Sequence, residues 1–210
     1  MRCKALWCAA LMFSLCSGTL CGEEHGSGYH IYFSPEDHLA DRLIALIKKE
    51  KKSIRAAVYC LMDRSIANAL IEAHKRGVDV EVITDPFSVK ARSPLQKMEN
   101  AQVPLFVWSP PEFIPYEIKK GEKRKALMHD KFCVFGEAVV WTGSFNFTRE
   151  ANNYHRENAI VFENEEIAIG YLKEFERIKE KGAVPYAEYA SQLPARTIKR
   201  KMQAPARTQP

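Results

Sequence analysis

Apolar and polar positions along the 210 residues switch between two periods. His30–Ser34 reads as a strand. After Pro35, Leu39, Leu43, Leu46 and Ile47 fall on one helical face, which predicts a helix running to Lys49. Ile54–Leu61 is a short apolar, β-branched run of the kind a buried strand carries. Ser65–Arg76 returns to helical spacing with Ile66, Leu70 and Ala73 inward, and Gly77 supplies its stop. Val78–Thr84 sets Val78, Val80 and Val82 against Asp79 and Glu81, a period of two. A short helix over Pro94–Asn100 and a strand over Leu105–Trp108 complete an alternating order. That order predicts an α/β fold: a mixed, largely parallel sheet with helices on both faces.

Residues 109–128 interrupt the alternation. Ser109-Pro110-Pro111 and Pro115 argue against regular structure, and Lys119, Lys120, Lys123, Arg124 and Lys125 follow as a basic cluster. The cluster is either a solvated loop or a candidate substrate rim, since it runs directly into His129. Leu127–Phe135 and Ala138–Thr142 then read as strands joined by a tight turn at Gly136-Glu137. Gly143–Asn146 is a polar turn, and Asn158–Phe162 is another strand. Glu165–Lys181 is an amphipathic helix using Ile167, Ile169, Leu172, Phe175 and Ile178. The catalytic domain is expected over residues 29–182, with no internal repeat.

Charge changes the picture only at the two ends. The net of +5 arises because residues 1–22 and 195–210 hold seven basic residues and no acidic ones. The middle carries 24 basic against 26 acidic residues, a net of −2. Overall basicity is therefore weak support for a polyanionic partner. Residues 195–210 read as a basic disordered tail. At the other end, Arg2 and Lys4 precede an apolar run from Ala5 to Leu15, and small residues follow before Glu23-Glu24. This segment, residues 1–22, reads as a signal peptide for export, with membrane association through residues 5–22 as the alternative. Four of the six cysteines lie inside it. Cys60 and Cys133 remain, each within an apolar run, and read as buried thiols with a disulfide as the alternative. No CxxC and no Cys/His spacing for zinc occurs, so no metal or other cofactor is expected.

One constellation carries chemistry. Residues two apart on a strand share a face, so His129 and Lys131 point together and Asp130 points away. Gly143-Ser144-Phe145-Asn146 and then Glu157 follow. A neutral imidazole can attack phosphorus and hold a covalent phosphoenzyme. Lys131 would supply positive charge to the non-bridging oxygens, with Ser144 and Asn146 as neutral donors to the same oxygens. Glu157 would take the far N–H of the ring and stabilise the imidazolium.

These residues resemble the HKD signature of the phospholipase D superfamily, H-x-K-x4-D-x6-G-S-x-N. His129, Lys131, Gly143, Ser144 and Asn146 stand in its register. Glu157 falls where single-motif members of the Nuc and Zucchini types place a supporting glutamate. The resemblance implies a phospholipase D-like fold and a metal-independent phosphodiesterase. One position departs: Gly136 occupies the signature's aspartate, with Glu137 beside it. That leaves open compensation by Glu137, lower efficiency, or a silent site. The chemistry also needs a second histidine as acid and base. His25, His30, His38, His74 and His155 lack the motif's context. The resemblance therefore implies a homodimer with one composite active site, each chain contributing its His129. Three functions follow: a non-specific nuclease, a phospholipase acting on phosphatidyl lipids, or a phosphate-binding module without catalysis.

Overall fold

A computed structural model describes residues 28–90, 93–109, 115–119 and 122–193. Residues 1–22 and 195–210, read above as a signal peptide and a basic tail, and Lys120 lie outside the described residues. The first half follows the expected alternation: β1 Tyr29–Phe33, α1 Leu39–Lys49, β2 Ser53–Val58, α2 Arg64–Lys75, β3 Asp79–Thr84, α3 Leu95–Asn100 and β4 Leu105–Trp108. Helix α1 begins four residues after Pro35 because Asp37 closes a turn first, its carboxylate accepting the Phe33 N–H at 2.8 Å. Helix α2 is capped by Asp63, which accepts the N–H groups of Ser65 and Ile66. Gly77, with φ of 88°, ends it.

The second half contains β5 Pro115–Lys119, β6 Glu122–Lys125, β7 Lys131–Phe135, β8 Val139–Gly143, α4 Arg149–Asn153, β9 Asn158–Glu163, α5 Glu165–Gly182, β10 Ala183–Pro185 and α6 Tyr186–Ser191. The irregular stretch expected around Pro115 is corrected here. Strands β5 and β6 pair as a separate antiparallel hairpin. Pro115 is the first residue of its strand, where the missing N–H is tolerated. The basic cluster thus belongs to a hairpin, and for Lys119, Lys123, Arg124 and Lys125 the backbone alone is described. Strand β10 pairs with β4, and α6 buries Tyr186 against the core, so structure continues past residue 182.

Eight strands form the main sheet in the order β1-β9-β8-β7-β2-β3-β4-β10. Parallel pairing is confined to β2-β3-β4, and the other five pairs are antiparallel. The sheet is mixed, but the description "largely parallel" suits only the half with crossover helices. Strands β7 and β8 are joined by a tight turn, and a connection that short permits only antiparallel neighbours.

Helices cover both faces. On one side Leu39, Leu43, Ile47, Ile66 and Leu70 pack with Ile54, Val80, Cys133 and Trp141. On the other, Ala168, Phe175 and Ile178 of α5 pack with Phe132, Val134 and Val140. Strand β7 therefore alternates between the two cores, and Lys131 has the parity of Cys133. Strands β2, β3 and β8 end, and β7 and β9 begin, along one edge of the sheet, where Val58 pairs with both Thr84 and Lys131. Tyr59, Asp85, His129, Ser144 and Glu157 all leave the sheet there.

Gly143 closes β8 at that edge with φ of 152°. A Cβ on it would lie 2.3 Å from the Asn158 carbonyl oxygen and 2.9 Å from Ala159 Cα. Only glycine lets β8 and β9 approach so closely at the turn into Ser144. Gly143→Ala is expected to destabilise the fold by about 1–3 kcal/mol, the usual cost of forcing atoms into a packed site. Thermal unfolding checks this; an unaltered midpoint would show that the two strands have room to part.

Candidate active site

His129 precedes β7 with its imidazole exposed, and its ring rests against Tyr59 with centroids 4.5 Å apart. Lys131 opens β7 and is 7% exposed. Its Nζ lies 3.1 Å from His129 Nδ1 and donates to the His129 carbonyl at 2.5 Å. Burial holds the Lys131 ammonium below the usual lysine range, while the nearby charges of Asp130, Glu157 and Cys60 oppose that shift. Asp130 turns to the α5 side, beside Glu174 in a hollow also lined by Leu127 and Ile178. Burial pushes its carboxyl up and Glu174 adds to the effect. The geometry thus brings His129 and Lys131 together and turns Asp130 away.

The Gly143–Asn146 turn is oriented by what the motif leaves unspecified. Phe145 and Phe147 are fully buried and pack in series with Trp141, at centroid distances of 6.2 and 6.0 Å. With the aromatics inward, Ser144 and Asn146 alternate outward. Ser144 Oγ donates to Glu157 Oε2 at 2.5 Å and accepts the Asn158 N–H at 3.1 Å. A hydroxyl has one proton to give, and this one goes to Glu157. Ser144 therefore positions Glu157 in this arrangement and is not free to donate to a phosphate oxygen. Glu157 Oε1 lies 3.9 Å from His155 Nδ1, and neither Glu157 oxygen hydrogen-bonds His129. The expected contact from Glu157 to the imidazole is replaced by one to Ser144, while Lys131 Nζ stands at His129 Nδ1. Asn146 Oδ1 is buried without a hydrogen-bond partner. A half-turn of its amide would present two N–H donors at that place.

Asp85 is the residue that motif reading missed. It is 3% exposed, and its carboxylate accepts the N–H of Phe87 at 2.8 Å and of Met128 at 3.2 Å. It ties the turn after β3 to the residue before His129. Burial pushes its carboxyl up, against the pull of those two N–H groups and of His129. An Asp-Pro pair at the carboxyl edge of a parallel strand was the available signal.

Gly136 lies at the opposite end of β7 from His129, with the strand's five residues, roughly 17 Å of extended chain, between them. It adopts φ of 56° in the β7–β8 turn, where a Cβ on it would lie 3.7 Å from Glu50 Oε2. Glu50 accepts the N–H groups of Lys51 and Lys52. The substituted aspartate position is therefore a turn position remote from the imidazole, and Glu137 is exposed there. Cys60 and Cys133 are free and buried, and burial pushes both thiols up. Among the described residues no cluster of His, Cys, Asp or Glu is arranged to hold a metal ion.

A family model described as a cardiolipin synthase, phospholipase D-like domain matches residues 43–179. The chain belongs to the phospholipase D-like family. It is 30% identical over 143 residues to a mitochondrial cardiolipin hydrolase of Xenopus tropicalis, covering 68% of this chain and 61% of that protein. A phospholipase D of Rickettsia conorii is 30% identical over 142 residues, 67% of this chain and 64% of the relative. The match thus spans less than two thirds of these relatives' own length. Among solved structures, the phospholipase D family member Nuc from Salmonella typhimurium superposes with a TM-score of 0.61 at 28% identity. That superposition covers 75% of this chain and 97% of Nuc.

Because Lys131 is charged at the expense of burial, removing the charge should help the fold. Lys131→Met is expected to raise the unfolding midpoint at neutral pH by roughly 2–4 °C, about what 1 kcal/mol does for a domain this size. In the window between the lowered value and the ordinary 10.5, the unfolded chain binds more protons than the folded one. Wild-type stability therefore rises with pH across it. The advantage of the variant should shrink over the same window; a constant advantage would mean that packing and not charge is responsible.

Proposed function

We propose that the protein is a metal-independent phosphodiesterase that cleaves nucleic acid through a covalent phosphohistidine on His129. The observation that carries this reading is the buried Lys131 ammonium held against the imidazole at 3.1 Å. A fixed positive charge at that point can take the phosphate oxygens, the role a divalent ion fills in other phosphodiesterases. When a phosphate arrives, Lys131 transfers its hydrogen bonds to the non-bridging oxygens and releases the ring. A ring nitrogen of His129 then attacks phosphorus, and the P–O bond to the leaving group breaks. The leaving oxygen takes a proton from a second histidine. Water next gives its proton to that same histidine and attacks phosphorus, and the P–N bond breaks.

The second histidine is His129 of another copy of the chain, in a homodimer whose two-fold axis passes between the imidazoles. His155 is the nearest histidine within the chain, but it faces Glu157 from an exposed position. Nucleic acid is favoured as substrate by the β5–β6 hairpin, which bears Lys119, Lys123, Arg124 and Lys125 just before His129. Phosphatidyl lipid is the second reading, favoured by the cardiolipin hydrolase and phospholipase D names of the relatives. The leader-like segment 1–22 fits export of the protein, or its attachment to a membrane.

Purified protein should cleave plasmid or single-stranded nucleic acid in excess chelator. Loss of activity to chelator with recovery on adding magnesium would refute the mechanism, and hydrolysis of cardiolipin vesicles alone would select the lipid reading. His129→Ala should lower the rate by at least about a thousandfold, as loss of a nucleophile does. In subunit-exchange mixtures, His129→Ala chains should reduce activity by more than dilution, since each composite site needs two imidazoles. Strictly proportional loss would indicate that each chain works alone.

A further inference from the structure

The sheet edge continues past His129 on the side away from Ser144 and Glu157. Tyr59, the first residue after β2, meets the His129 ring at a tilt of 49° and stacks on Phe87, whose ring lies 5.1 Å from its own at 14°. Phe87 is 46% exposed. Lys90 Nζ stands 3.4 Å from the Phe87 centroid, and Lys131 Nζ stands 5.2 Å from that of Tyr59. Two rings thus lead outward from the imidazole, with an ammonium at either end.

This extension is held by buried polar groups that the nucleophilic step does not use. Ser88 Oγ contacts Thr84 Oγ1 at 2.6 Å, accepts the Leu61 N–H at 3.0 Å and reaches the Tyr59 carbonyl at 3.1 Å. Thr84 Oγ1 donates to the Val58 carbonyl, and Asp85 takes the Phe87 N–H. Ser88, Thr84 and Asp85 are all buried. They fix the positions of both rings, although a half-exposed phenylalanine gains the fold little by burial.

We propose that Phe87, Tyr59 and Lys90 form a subsite for the nucleotide flanking the scissile phosphate. Its base stacks on Phe87, and Lys90 leaves the ring to pair with its phosphate. The subsite rests on the nuclease reading and sharpens it toward single-stranded substrate, whose bases can be splayed out to stack. A polynucleotide presents a flat π face and another phosphate one unit along, matching a ring and an ammonium side by side. A phosphatidyl group has no flat face to offer. Lys90 gives up only an exposed cation–π contact in the exchange.

The test compares the dinucleotide TpT, which has one phosphodiester, with decathymidylate, in chelator, for wild type, Phe87→Leu and Lys90→Gln. Wild type should favour the longer strand through a lower KM per linkage. Lys90→Gln should lose that preference by about tenfold, in KM more than in kcat, whereas Phe87→Leu should raise KM by about tenfold for both substrates, since TpT already offers the flanking base. Lys90→Gln should also flatten the log–log salt slope by about 0.7, the value for one phosphate on a single strand, and Lys90→Arg should restore it. If both oligonucleotides are cleaved, Lys90→Gln keeps the wild-type preference and salt slope and Phe87→Leu keeps the wild-type KM, the subsite is overturned while the nuclease reading stands. If neither is cleaved and cardiolipin vesicles are hydrolysed, the nuclease reading fails and the subsite with it.

Discussion

A lysine with 7% of its surface exposed, held 3.1 Å from a histidine nitrogen, is a costly arrangement, and much of this fold serves to make it tenable. Desolvation disfavours the ammonium, and nothing in ordinary folding demands one there. Strand β7 delivers it: Cys133 and Phe135 hold the strand's parity in one core, Phe132 and Val134 hold it in the other, and Lys131 must follow. The His129 carbonyl accepts a hydrogen bond from Nζ, and negative groups at Glu157 and Asp130 return part of the cost. In the proposed reaction the remaining cost supplies a preorganised charge where a phosphoryl group would gather negative charge in its transition state.

The sheet's topology explains why this charge lies at an edge and how its companions reach it. Parallel strands β2 and β3 end there, bringing Tyr59 and Asp85. Antiparallel β8 ends there with Ser144, and β9 starts there just after Glu157. Asp85 joins the two halves by accepting the Met128 N–H, so the crossover half of the fold fixes the approach to His129. Gly143 permits the close passage of β8 and β9 that lets Ser144 grip Glu157.

Much of this was legible in the order of residues, because period and motif are local properties. The alternation from His30 to Trp108 shows as strand and helix spacing. The pairing of His129 with Lys131 is anticipated by strand parity, although β7 begins only at Lys131 and not at Leu127 as the pattern predicts. Contacts between distant segments were not legible. That Ser144 spends its proton on Glu157, and that Asp85 braces Met128, depend on which strand ends meet. The β5–β6 hairpin was hidden because proline weakens a strand pattern without forbidding its first residue. Parallel pairing was overestimated because the sequence of β7 does not disclose that it runs against β2. Counted along the motif, Gly136 left compensation, lower efficiency and a silent site all open; in space it is a turn beside Glu50, a strand's length from the imidazole.

The central claim is that His129 forms a bond to phosphorus before water does. The stereochemical course of the reaction tests it most directly. A phosphorothioate diester of one configuration is hydrolysed in isotopically labelled water, and the configuration of the product is determined. Two successive in-line displacements, one by His129 and one by water, predict net retention at phosphorus. Net inversion would show that water attacks the diester directly, and would contradict a covalent phosphohistidine.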